Sequence, residues 1–416
     1  MKNFTTETYQ MKREIVHFAS KISTGCNKVQ TRFNTDMIYG ILASGSSLLT
    51  EITDTLKEAS RKVNTVERLA RHLNAPVPAS VQESYLHTVK NLLPGEPLVF
   101  VDDSDIIKPC GRKFESLGLV RDGSAQDFTL EKGYHVTEIA ALTKNNKQPV
   151  SLYSLVHSSA ERNYVSANDI TYRALGQTFS LLDGGGTYVF DRGYDMNDMF
   201  LFMYKQKQAF IIRLTEKRKL YYKHKWISAT ALRDARKGKI KTNVMFGGKK
   251  TDCYISCVNV QITASRKPLK LVLVYGLGET PMMLATNKPV HCKDDAVRIV
   301  RAYFSRWRIE EYFRFKKQHF GFENFRVRSI ASINSLNKYI SYCIGFIAMM
   351  EEKHAGSCLN AAILNKANAL RQKVSFLFYR FAKGIAGILS YAKSGVRDWF
   401  EPPRPRFRQL SFNLII

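Results

Sequence analysis

Leu98-Val99-Phe100-Val101-Asp102-Asp103-Ser104 and Tyr188-Val189-Phe190-Asp191 are two short apolar runs that each end in acid. Runs of this length, rich in β-branched and aromatic residues, read as buried strands. In an open α/β sheet, ligands gather outside the carboxyl ends of the strands. Two such ends on neighbouring strands therefore bring carboxylates to one place. Asp102 and Asp103 are successive, and successive strand residues point to opposite faces, so only one of them can face that place.

The surrounding pattern sets the fold. Residues 136–142 and 150–156 are also strand-like, and 168–182 reads as a helix closed by Asp183 and the Gly184-Gly185-Gly186 turn. After Asp191, a helix over 196–205 and a strand over 210–214 follow. Three strands, helix, strand, helix, strand is the element order of an RNase H-like domain, so the fold class is α/β. From about 216 to 289 the sequence alternates in the β manner and carries the basic run Lys217, Arg218, Lys219, Lys223 and Lys225, which reads as a β-rich insertion. The catalytic unit then spans 93–350. Residues 1–92 read as helices. Two of them, 46–56 and 64–73, the second bearing Arg68 and Arg71, have the look of a helix-turn-helix DNA reader; a helical bundle with a basic face is the alternative. Asn64 and Glu67 have the spacing of a capping box. Residues 351–416 read as C-terminal helices and a Pro/Arg-rich tail over 401–408.

A long helix over 294–318 carries the third acid. At about 100° per residue, Tyr303, Arg306, Glu310, Arg314 and Lys317 fall within one sector of roughly 80°. Glu311 is turned away from it. One carboxylate set between three cations and a phenol suits a metal ion, and the cations suit phosphate oxygens. A solvated face of ordinary ion pairs is the plainer reading.

Composition narrows the function. The 416 residues include 63 Lys and Arg against 36 Asp and Glu, a formal charge of +27. That surplus calls for a polyanionic partner, and nucleic acid fits best. No apolar run reaches the roughly 18 residues of a spanning helix, and no signal-peptide core is evident, so a cytoplasmic protein is expected. The seven cysteines read as reduced thiols; Cys253, Cys257, His291 and Cys292 have a spacing that fits no common zinc finger. Trp226, in the basic part of the insertion, is expected to be buried in its core, with stacking on an unpaired base as the alternative.

Three carboxylates held together repel one another, and two divalent cations that bind through oxygen relieve that cost. Metals about 3.5–4 Å apart activate a water or a 3′-hydroxyl and stabilise the departing oxygen of a phosphodiester.

At this point the sequence resembles a known family. Asp102-Asp103-Ser104-Asp105 with Lys108, and Phe190-Asp191-Arg192-Gly193-Tyr194-Asp195, are similar to the first two motifs of bacterial insertion-sequence DDE transposases. Tyr303, Arg306, Glu310 and Lys317 match the Tyr–Arg–Glu–Lys signature of the insertion-sequence-four family. The resemblance spans roughly 40–350. It implies an RNase H-like core and a metal-binding, catalytic triad of Asp103, Asp191 and Glu310, with Asp103 chosen over Asp102 because the motif places Ser or Thr next. It implies two Mg²⁺ ions (or Mn²⁺), and Tyr303, Arg306 and Lys317 as holders of phosphates of the transposon-end DNA. Arg192, Arg213 and Arg314 are further candidates for DNA contact. The expected activity is cleavage at terminal inverted repeats and strand transfer into target DNA by a homodimer that pairs two ends. A nuclease of the same fold and a non-catalytic DNA-binding descendant are the rivals.

Overall fold

The computed structural model describes residues 6–121, 129–353, 356–367 and 376–400. The Pro/Arg-rich tail lies outside the described residues. The chain opens with helices α1 (Glu7–Ile22), α2 (Lys28–Ser44), α3 (Leu49–Leu56), α4 (Lys62–Leu73) and α5 (Ala79–Lys90). Thr6 and Asn27 cap the first two, accepting from the Tyr9 and Gln30 N–H groups, which satisfies otherwise orphaned donors. The capping box expected at Asn64 is not formed. Helix α4 begins two residues earlier, with Arg61 at its N-cap and no side-chain cap.

The strands β1 (Leu98–Ile107), β2 (Gly118–Arg121), β3 (Leu130–Leu142) and β4 (Pro149–His157) precede α6 (Ala167–Leu181). Strand β5 (Thr187–Phe190), α7 (Asn197–Lys205) and β6 (Ala209–Arg213) follow. Apart from the short β2, the order is three strands, helix, strand, helix, strand, as expected. Strand β1 pairs antiparallel with β3 and parallel with β5, and β5 pairs parallel with β6.

The β-rich segment forms β7 (Lys219–Tyr222), β8 (Lys225–Ser228), the short α8 (Ala229–Asp234), β9 (Ile240–Phe246), β10 (Lys249–Ile262), β11 (Lys267–Tyr275) and β12 (Met282–Thr286). It is continuous with the core: β12 pairs antiparallel with β6, giving a single 12-stranded sheet in the order β2-β3-β1-β5-β6-β12-β11-β10-β7-β8, with β4 on β3 and β9 on β10.

The long helix expected over 294–318 is two helices, α9 (Lys293–Phe304) and α10 (Trp307–Gln318). The chain tightens between them. Arg306 N–H donates to the Tyr303 carbonyl, and Arg308 and Ile309 donate three residues back to Ser305 and Arg306. No Gly or Pro causes the break. Helix α9 packs on β9, β10 and β11, whereas α10 packs on β1 and β4, so each half follows its own support.

Helices α11 (Ile330–Lys353), α12 (Cys358–Lys366) and α13 (Phe378–Leu389) complete the described fold. The N- and C-terminal helices share one core. Helix α2 packs on both α11 and α13, the Lys12 ammonium donates to the Gly395 carbonyl at 2.9 Å, and Tyr339 Oη donates to Asn34 Oδ1 at 2.6 Å. Gly345 lets α11 approach α5, since a Cβ there would meet the Tyr85 ring at 2.6 Å.

One polar network is sealed between α10 and the sheet. Lys316, 1% exposed, pairs with Glu138, 0% exposed, at 3.0 Å. Ser151 and Ser154 donate to the same carboxylate, and Asn337 Oδ1 accepts from the ammonium at 2.7 Å. Removing one partner of a buried pair leaves an uncompensated charge, at a cost of about 3–5 kcal/mol. Lys316→Met is therefore expected to destabilise by that order in chemical unfolding, and the double variant Glu138→Gln/Lys316→Met to recover part of the loss. A double variant no more stable than Lys316→Met contradicts this.

Glu351, at the end of α11 and 4% exposed, has its carboxyl pushed up to about 7 by burial and by Glu352. A raised folded-state value means that stability present below the unfolded value of 4.5 is lost as pH rises through 7. Glu351→Gln is expected to match the wild type near pH 4 and exceed it by about 3 kcal/mol at pH 8, read from urea unfolding at both values.

Candidate active site

The parallel registers decide which side chains meet. Val101 lies beside Phe190, and Phe190 beside Ile212. The next residue of each strand, Asp102, Asp191 and Arg213, thus forms a row across the carboxyl edge of the sheet, on one face. Asp191 leads into a tight 3₁₀ turn, Arg192–Tyr194, closed by the Tyr194 N–H donating to the Asp191 carbonyl at 3.1 Å.

Helix α10 covers this row. Arg306 Nη1 donates to Asp102 Oδ2 at 2.8 Å, and Nη2 donates to Glu310 Oε1 at 2.6 Å. One guanidinium thereby bridges the strand acid and the helix acid. Burial, joined by repulsion from Asp103 and Asp191, pushes the Asp102 carboxyl up to about 7 against the pull of Arg306. Arg306 loses hydration by burial, yet Asp102, Asp191, Tyr303 and Glu310 together hold its protonated form more tightly than usual. Tyr303, on the last turn of α9 and 5% exposed, donates from Oη to Asp191 Oδ1 at 3.3 Å. Burial first, then Asp191, raises its hydroxyl, while Arg306 and Arg213 oppose this.

The structure therefore places Asp102, and not the expected Asp103, beside Asp191 and Glu310. Asp103 turns to the other side of β1, where Thr137 Oγ1 and Tyr194 Oη donate to its two oxygens at 2.6 and 2.8 Å. The reason is the pleat: register with Asp191 selects Asp102, and the next residue must point away. Among the described residues, no three His, Cys, Asp or Glu side chains are grouped closely enough to hold a metal ion. The donors at hand, Asp102, Asp191 and Glu310, are all carboxylate oxygens. They fit a hard divalent cation, with Arg306 supplying positive charge among them in this geometry.

The other sequence candidates divide. Lys317 meets Asp105 at 3.3 Å and Glu323 at 3.2 Å. Arg314 is exposed and pairs with Glu311 rather than Glu310. Arg192 is exposed beside Asp191, and Arg213 is half-buried next to it. Arg71 is exposed in the last turn of α4. Arg68, expected to contact DNA, is engaged in ion pairs within the protein. Its guanidinium joins Asp36 at 3.0 Å and Glu58 at 2.9 Å, and both acids are nearly inaccessible. Trp226, expected in the insertion core, is instead 47% exposed, beside a cleft lined by Lys217, Arg218 and Lys219. Cys253 and Cys257 sit four residues apart along β10, roughly 13 Å, and Cys292 caps α9. Among the described residues no helix is long and apolar enough to cross a membrane.

Sequence reasoning missed Glu138 and Lys316 altogether. Glu138 lies directly across from Asp102 in the β1–β3 pairing, but nothing in a single sequence marks that register.

Residues 163–338 match the family described as Transposase DDE domain, a span that contains Asp191, Arg213, Tyr303, Arg306, Glu310 and Lys317. No curated protein matches the chain. Among solved structures, a piggyBac transposase seen in a synaptic complex with hairpin DNA covers 97% of this chain and 86% of its own, at 10% identity and a TM-score of 0.47. A likeness that loose bears on neither residue roles nor mechanism. The family match covers 163–338 of the 416 residues and is to a domain, not to the whole chain.

Proposed function

We propose that the protein is an insertion-sequence transposase of the insertion-sequence-four type, built on an RNase H-like core. It binds terminal inverted repeats, pairs two ends as a homodimer in the nucleoid-bearing cytoplasm, cuts them, and joins the freed 3′-hydroxyls to target DNA. The observation that carries this reading is the Arg306 fork, which joins Asp102, in register with Asp191, to Glu310.

In this reading Asp102, Asp191 and Glu310 would hold two Mg²⁺ ions, with Mn²⁺ as substitute. The chemistry supplied by those ions when bound is activation of a water or 3′-hydroxyl and stabilisation of the departing oxygen. The chain's own residues do the rest. Tyr303 orients the Asp191 carboxylate from within the protein. Arg306, Arg213 and Lys317 offer donors at the site, where phosphodiester oxygens compete with carboxylates for the same N–H groups. Arg192, Arg314 and Arg71 are exposed cations for outlying phosphates. Hydrolysis and strand transfer are the same displacement with different nucleophiles, so one site serves both. Trp226, exposed beside a cleft lined by cations, is the candidate side chain for stacking on an unpaired base.

Asp102→Asn and Asp191→Asn are each expected to abolish cutting of a labelled transposon end while leaving end binding in gel shifts largely intact; Asp103→Asn is expected to retain measurable cutting. Full cutting by Asp102→Asn removes the site assignment. A precut end that yields no joined product with any target, under conditions where uncut ends are cleaved, favours a nuclease. Trp226→Ala is expected to weaken binding to ends carrying an unpaired base by about 1–3 kcal/mol, and binding to fully paired duplex much less, in fluorescence anisotropy titrations.

A further inference from the structure

The face of β1 opposite the Arg306 fork carries a second polar cluster that the proposed chemistry does not use. Asp103 Oδ2 accepts from Tyr194 Oη at 2.8 Å, and Oδ1 accepts from Thr137 Oγ1 at 2.6 Å. Thr137 is the cross-strand partner of Asp103 on β3 and is 0% exposed. Its hydroxyl hydrogen goes to Asp103, so its oxygen accepts from His157 Nε2 at 2.9 Å. Burial above all, with His135 and Arg173, lowers His157 to about 4. A neutral imidazole with its proton on Nε2 meets that requirement, and its buried Nδ1 has no hydrogen-bond partner among the described residues.

Tyr194 stands at the other end of this chain. It is 7% exposed, packs against Phe190 with ring centroids 5.3 Å apart, and closes the turn on Asp191 through its own N–H. A single hydrogen bond thus ties the residue after Asp102 to the turn that begins at Asp191. Strands β1 and β5 stop pairing at Val101 and Phe190, one residue short of both front-face acids. At that point the backbone ladder no longer fixes their separation. The carboxylates crowd one another, and repulsion tends to spread the two strand ends.

We propose that Asp103 and Tyr194, backed by Thr137 and His157, are positioning residues that hold Asp102 and Asp191 at the spacing needed to share a divalent cation. The inference rests on the metal-centre reading given above. It assigns the paired acids of Asp102-Asp103 separate tasks, one on each face of the strand. Outer hydrogen bonds of this kind commonly tune metal affinity by about 10–100-fold.

The test is Mn²⁺ binding to the full-length protein at neutral pH, followed by electron paramagnetic resonance, with circular dichroism melting to confirm the fold. Tyr194→Phe keeps the ring and deletes the brace, so it is expected to bind Mn²⁺ at least about tenfold more weakly. Its binding to transposon-end DNA without metal is expected to be unchanged. Asp103→Asn keeps an acceptor oxygen and is expected to fall between the wild type and Asp103→Ala. Wild-type Mn²⁺ affinity in a folded Tyr194→Phe overturns the proposal. So does loss of binding in Asp103→Asn as complete as in Asp102→Asn while Tyr194→Phe binds normally, which makes Asp103 itself a ligand. Should Tyr194→Phe fail to fold, Thr137→Val carries the test with the same expected loss and the same overturning result. A wild-type protein that takes up no Mn²⁺ instead sinks the metal-centre reading, a failure plainly different from the failure of the brace.

Discussion

Carboxylates crowded at the open end of a sheet are the constraint around which this fold is arranged. Asp102, Asp103 and Asp191 lie where the pairing of β1 with β5 has just ended, so the sheet brings them together but its ladder does not reach them. Like charges in a poorly hydrated place either neutralise or find counter-charge, and both responses are present. Asp102 is pushed up to about 7, chiefly by burial, and the Arg306 guanidinium is wedged between it and Glu310. A planar fork suits this task better than an ammonium, because two N–H directions address two carboxylates at once.

That requirement accounts for the break before α10. A single straight helix from 293 to 318 cannot lie on both the insertion strands and the β1–β4 surface. Ending α9 at Phe304 puts Tyr303 against Asp191, and starting α10 at Trp307 puts Arg306 at its N-cap within reach of Asp102. The sealed Glu138–Lys316 pair then fixes α10 in depth and rotation, ten residues beyond Arg306. A buried pair adds little net stability. Its value here is that only one placement of the helix satisfies it.

Much of this was legible in the residues alone. The strand and helix order, the β-rich segment after β6, and the proximity of Asp191 to Tyr303 and Arg306 follow from apolar runs, turn signals and motif spacing. The choice between Asp102 and Asp103 did not. Val99, Phe100 and Val101 are buried alike, so the strand lacks the apolar–polar alternation that marks a face. Only the pairing of β1 with β5 reveals it, although one signal was available: in both runs the facing acid is the first after the apolar stretch. The ion pairs of Arg68 were illegible for a related reason. A basic helix invites a DNA reading, but the partners that claim it, Asp36 and Glu58, come from elsewhere in the chain.

The turn after Asp191 shows how a few residues can serve several demands. Asp191 faces Tyr303 in front, and Tyr194 reaches Asp103 behind. Asp195, whose side chain is 0% exposed, receives Arg218 at 2.7 Å together with the backbone N–H and hydroxyl of Thr215. That last set pins the root of the insertion to the same turn. The insertion returns through β12 beside β6, so its departure and return are both fastened next to the acid row. A long excursion anchored in this way delivers α9 to a defined place, and with it Tyr303 and Arg306. The insertion is thus part of what assembles the site, because α9, which carries Tyr303 and leads into the helix bearing Glu310, follows its last strand.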